Sequence, residues 1–109
     1  MQLSLEHIEK ELQGSELAPT TLADFRVFLA ALYSWRANEI QKILALKPFI
    51  WLNIREKKNS DKAADREWQT TQKGAREMQL TWELRPIDKL SSAIASKLRV
   101  MDAEARNQM

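Results

Sequence analysis

Lys47, Trp51, Arg55, Lys58 and Lys62 step along the chain by 4, 4, 3 and 4 residues, so a helix carrying them puts four cations and one indole on a single face. Lys57 adds a further cation beside them. Such a face suits a phosphate backbone, with the indole as a stacking or cation–π platform. Trp82, Arg85 and Lys89 offer a second basic and aromatic face. The bland alternative is that REKK, residues 55–58, keeps an elbow between two helices soluble. Tryptophans at helical spacing are mostly core anchors, and Trp35 and Trp68 are read that way. Trp51 has Asn53, Arg55 and Glu56 as wet neighbours, so both roles stay open for it.

The other reactive side chains assemble into nothing catalytic. The single histidine, His7, has Glu11 one turn on, and is read as a solvated side chain of an acidic helix. A di-iron glutamate-x-x-histidine pair needs an acid where Ser4 stands. Asp61 and Asp65 lie one turn apart and would hold a cation, but they are read as partners of a helix N-terminus. Glu77 and Glu83 are read as members of solvated faces. With no glycine-rich phosphate loop, nucleophile elbow or zinc motif, the expectation is a protein that is not an enzyme and carries no cofactor or metal.

The elements that place these residues follow from composition and spacing. At 109 residues, with 44% apolar and 29% charged residues, the chain is one domain and neither disordered nor membrane-embedded. No apolar run approaches the about eighteen residues that span a bilayer, and the acidic, amphipathic start is unlike a signal peptide. The absence of cysteine excludes disulfides and thiol chemistry and fits a reducing cytoplasm. Two glycines and three prolines are too few for a β-protein's turns, so the fold class expected is all-α. Net charge is +2. Residues 1–24 hold five acids and one base, whereas residues 25–100 hold fifteen bases and eight acids.

Residues 1–19 are expected to form a short acidic helix over Ser4–Gln13 and a loop, GSELAP. Ser4 caps the helix, Leu3 and Ile8 form a hydrophobic staple, and Gly14 stops it. Residues 20–58 form a long helix opened by Thr20 or Thr21, with Asp24 completing a capping box. Its apolar stripe takes in Phe25, Leu29, Trp35, Ile43 and Leu44, and Phe49, Ile50, Trp51 and Ile54 continue it beyond Pro48, which kinks or breaks the helix. Residues 60–107 form a long C-terminal helical segment that starts near Asp61, with a possible interruption at Gly74.

Within that segment Leu80, Leu84, Ile87, Ser91, Ile94, Leu98, Met101 and Ala105 alternate steps of four and three, a coiled-coil seam over more than three heptads, with Pro86 set between seam positions to bend it. A helix over residues 75–106 runs to roughly 48 Å, longer than a compact ball of this mass is wide. The expectation is an elongated helical hairpin or bundle whose seam, above all Leu80, Leu84, Ile87, Ile94, Leu98 and Met101, meets the second helix, a second copy or a protein partner.

From IWLNIRE onward, with Ser60–Trp68 at a lysine- and aspartate-rich helix start, KLSSA at Lys89–Ala93 and EARNQ at Glu104–Gln108, the C-terminal half resembles small helical proteins of unknown function from phages and prophages. That resemblance implies a phage or mobile-element accessory protein and transfers no site residues. The leading expectation is a helical interaction module that self-associates and docks on nucleic acid or a nucleoprotein through its basic middle. The alternatives are a protein-binding inhibitor of a host defence complex, in the manner of an anti-CRISPR, and a small helical subunit of a nucleoprotein assembly.

Overall fold

The computed structural model describes residues 3–14 and 16–107, and the regular structure among them is entirely helical. In chain order the elements are α1 (Leu5–Gly14), α2 (Pro19–Glu56), α3 (Asp61–Thr70) and α4 (Gln72–Asn107). Ser15 of the expected loop and Gln108 of the EARNQ motif lie outside the described residues.

The helix ends follow local chemistry. Ser4 Oγ accepts the backbone N–H of His7 at 3.1 Å, which satisfies one of the free amides of the first turn of α1. Leu3 packs on the same core as Ile8, as a staple should. Gly14 is the last residue of α1 and has no positive φ, so it does not make the left-handed stop expected of it. Lys97 Nζ instead donates to the Leu12 carbonyl at 3.2 Å, placing a cation on the exposed carbonyl end of the helix. Helix α2 opens one residue before the expected threonines, on Pro19, whose fixed φ and missing N–H suit the first helical position. Neither Pro48 nor Pro86 breaks its helix; both lie on exposed positions inside α2 and α4.

The expected interruption at Gly74 falls at Thr71. Ser60 caps α3 by accepting the Ala63 amide, and α3 ends at Thr71, where the backbone is extended. Thr71 serves both helices. Its N–H and its hydroxyl donate to the Trp68 carbonyl at 3.0 and 2.6 Å, and its hydroxyl oxygen accepts the Gly74 amide at 3.0 Å. Gly74 is buried under that joint: a Cβ there would lie 1.8 Å from the Trp68 carbonyl oxygen. The glycine is present for close approach of backbone to backbone, not to interrupt a helix. The long C-terminal segment is therefore two helices with a one-residue break.

The chain folds as two compact units. The first takes Met1–Ser34 and Arg85–Met109, and the second takes Trp35–Leu84. Helices α2 and α4 contribute to both. In the first unit Ile8 of α1, Leu22, Phe25 and Leu29 of α2, and Ile87 and Ile94 of α4 form the core. His7, expected in solvent, is half-buried there and meets the Phe25 ring edge-on at 6.1 Å. In the second unit the core is Ile43, Trp68 and Leu80, with Ile40, Ile50, Trp51 and Ile54 packed around it.

The heptad seam is divided between these cores. Leu80 is buried in one, and Ile87 and Ile94 in the other. Leu98 and Met101 pack half-buried beside Ile87 and Ile94, and Leu84 is half-buried. Leu80, Ile87 and Ile94 are thus covered by helices of their own chain, whereas Leu84, Leu98 and Met101 keep part of their surface in solvent.

Gly74→Ala should destabilise the fold by about 1–3 kcal/mol although alanine is the better helix former. Gly14→Ala, where nothing lies within 4 Å of the added Cβ, should leave the melting temperature unchanged or raise it. Thermal melts by circular dichroism of both variants check the contrast, and equal behaviour would remove the assigned role of Gly74.

Candidate interaction surfaces

The stretch from Lys47 to Trp68 contains the expected phosphate track, and the structure pairs most of it internally. Arg55 donates through Nε to Asp61 Oδ1 at 2.6 Å and through a terminal amine to the Lys58 carbonyl at 2.8 Å, which ties the end of α2 to the start of α3. Lys58 reaches Glu67 at 3.7 Å. Trp51, half-buried, donates its indole N–H to Asp65 Oδ1 at 2.8 Å. Lys47 lies 5.4 Å over the Trp68 ring and 3.8 Å from Glu77, and the Trp68 indole N–H points at the same carboxylate at 3.4 Å. Three of the four cations of that face, Lys47, Arg55 and Lys58, thus meet acids from α3 and α4, and its indole is turned to a carboxylate. Asp61 stands in the first turn of α3, as the helix-end reading expects, and also faces Arg55, while Asp65 faces Trp51; no group of three potential metal ligands occurs among the described residues.

Lys57 and Lys62 remain exposed and make no ion pair among the described residues. Arg66, which spacing arguments had left aside, is exposed one turn after Lys62 on α3. Trp82, Arg85 and Lys89 are also exposed. Of the two presumed core tryptophans, Trp68 is 3% exposed, as expected. Trp35 is 67% exposed, with the Arg36 guanidinium 5.9 Å from its ring, so it is no anchor.

Two ionic clamps join α2 to α4 within the second unit. Arg36 Nε donates to Glu83 at 3.0 Å, and Arg76 makes two bonds to Glu39, at 2.5 and 3.1 Å. Going up α2 from Arg36 to Glu39 moves down α4 from Glu83 to Arg76, so the two run antiparallel here. The Arg76 hydrogen bond holds the Glu39 carboxyl below its ordinary value of 4.5, helped by the nearby charges of Lys42 and Arg36. The same bond raises the Arg76 guanidinium above its usual value.

Beside this clamp is an open groove of about 700 Å³ between α2 and α4. Ile43 and Leu46 supply its apolar lining, and Lys42, Lys73, Arg76 and Glu39 supply its charge. Next to it α2 presents apolar side chains to solvent. Leu46 is 46% exposed, Phe49 71% and Leu52 57%. Phe49 and Leu44, expected on the core stripe, are among the exposed residues, because the buried stripe runs through Ile43, Ile50 and Ile54 and Phe49 points off it. The signal was present in the sequence: Leu46, Phe49 and Leu52 step by three and lie outside that stripe.

Arg55→Ala should lower stability by about 1 kcal/mol by freeing the elbow, whereas Lys57→Ala should change it by no more than about 0.5 kcal/mol. Urea melts read the difference. Glu39→Gln should lower the melting temperature at neutral pH. A carboxylate whose folded pKa is depressed contributes stability above its unfolded value and loses it as pH falls through the folded one. The gap between parent and variant should therefore be widest at neutral pH and close below the ordinary carboxylate range; a gap unchanged in acid would dismiss the clamp. Comparison with family models, curated proteins and solved structures finds no match to the chain.

Proposed function

We propose that this chain is a non-catalytic helical adaptor that binds a protein partner through its Trp35–Leu84 unit. The observation that carries this is the exposed row Leu46, Phe49 and Leu52 on α2, which runs outward from the edge of the stripe that the same helix buries. A helix with apolar residues on two faces has one more face than its own core covers. Contiguous exposed apolar side chains of this size mark contact surfaces more often than chance exposure. The ion-paired elbow adds to the case, because it takes Lys47, Arg55 and Lys58 out of the set available to phosphates. In a phage or mobile-element accessory protein, such a surface would dock on a host or phage complex, as an inhibitor or as a subunit. No helix among the described residues is long and apolar enough to cross a membrane.

Docking on nucleic acid is the second reading, favoured by Lys57, Lys62 and Arg66, which stay exposed around the elbow and the start of α3. One experiment separates the two. The full chain serves as bait in lysate of its source cells, with and without nuclease, beside the Phe49→Asp/Leu52→Asp variant. Both substitutions are at exposed positions and should change stability by no more than about 0.5 kcal/mol each. A protein retained after nuclease and lost with the variant is the expected result. Capture that vanishes on digestion, or that the variant keeps, would count against the adaptor.

A further inference from the structure

The groove between α2 and α4 has a charge that its own residues leave unbalanced. Three cations line it, Lys42, Lys73 and Arg76, against one carboxylate, Glu39. Both oxygens of Glu39 are taken by Arg76. Lys42 and Lys73, one on each helix, are exposed and make no ion pair among the described residues. The two further acids of this part of α4 are engaged elsewhere: Glu77 faces Lys47 and Glu83 is held by Arg36. The whole Trp35–Leu84 unit carries ten bases and seven acids, so no wider acidic field offsets the groove.

The lining is apolar between these charges. Ile43 is almost fully buried and forms the base, and Leu46 is half in the groove and half in solvent. Leu46 also joins the groove to Phe49 on the outer face of α2. The trough is open to solvent. It is thus shaped for a ridge laid along it and does not enclose a small ligand.

Accepting the protein-partner reading on which it rests, we infer that this groove binds an acidic amphipathic helix of another protein. The partner's apolar row seats on Ile43, Leu46 and Phe49, and carboxylates flanking that row meet Lys42 and Lys73. This is helix-in-groove recognition, in which apolar anchors supply affinity and rim charges set orientation and choice of partner. A basic helix is rejected by the same two lysines. The chain's own acidic helix α1 does not fulfil the role, since its apolar residues Leu5, Ile8 and Leu12 are already packed in the first unit.

The test uses the full chain and a fluorescein-labelled peptide of about 18 residues, long enough to be helical on a surface, with leucines on one face and glutamates elsewhere. Its counterpart has every glutamate replaced by lysine. Fluorescence anisotropy should show the acidic peptide binding at least about tenfold more tightly than the basic one, a difference of ~1.4 kcal/mol. Lys42→Glu/Lys73→Glu should weaken the acidic peptide by about tenfold or more and improve the basic one. Leu46→Asp should weaken both. Circular dichroism confirms that the variants keep the parent's helicity.

Equal binding of the two peptides, or a double variant that binds the acidic peptide as the parent does, overturns the inference. If that happens while the Phe49-dependent capture from lysate persists, the acidic chemistry falls and the adaptor reading stands. A duplex oligonucleotide that displaces the acidic peptide and loses affinity in the double variant makes the groove a phosphate site and also overturns it. So does a concentration-dependent doubling of mass in light scattering that Lys42→Glu/Lys73→Glu abolishes, which would give the groove to a second copy.

Discussion

The peptide carbonyl of Trp68 and the indole attached to it hold the second unit together from two directions. The carbonyl receives both donors of Thr71 and sits where a side chain on Gly74 would have to be. The indole fills the core beside Ile43 and Leu80, offers its N–H to Glu77, and carries Lys47 over its face. One residue thus closes the α3–α4 joint, anchors a core and orients the charged side chains around it. A buried tryptophan contributes more apolar area than any other residue, and its N–H must find a partner when water is excluded. Glu77 meets that requirement, so the acid and the cation near it have fixed places.

From this the character of the surface follows. With Glu77 and Lys47 engaged at Trp68, and Asp61, Asp65 and Glu67 drawn to Arg55, Trp51 and Lys58, the elbow is an internally paired segment. Pairs of this kind are individually weak when exposed. Their effect here is to neutralise Lys47, Arg55 and Lys58, so that among the described residues of the second unit the exposed cations without an ion pair are Lys42 and Lys73 at the groove and Lys57, Lys62 and Arg66 around the elbow. The stretch IWLNIREKKNSDKAADREW is first of all a joint: its Arg55 and Lys58 meet acids a few residues further along the same chain, while Lys57, Lys62 and Arg66 stay exposed.

Helix α2 shows the same division in its apolar residues. Its core stripe is a single line through Ile43, Ile50 and Ile54, and everything apolar beside that line has to face outward. Phe49 and Leu46 do so by geometry, because 100° per residue carries them away from the buried face. Trp35 stands outside the buried set for a related reason: the two cores are built on residues to either side of it along α2, and it belongs to neither. An aromatic residue is a core anchor only where another element comes to cover it.

The sequence by itself determined the all-helical class, the start of α3 near Asp61 and the heptad line of α4, because these depend on spacings of three and four and on chemistry within one turn. It also showed that no thiol chemistry is available, since that needs only a residue type. What the tertiary structure decided was which side chains find each other across elements. Leu80, Ile87 and Ile94 of the seam met the chain's own helices, three cations of the basic face met acids of α3 and α4, and Gly74 proved to be a point of close backbone approach. Each outcome turns on a distance between residues of different helices. Local periodicity fixes the direction in which a side chain leaves its helix but carries no information about what stands opposite.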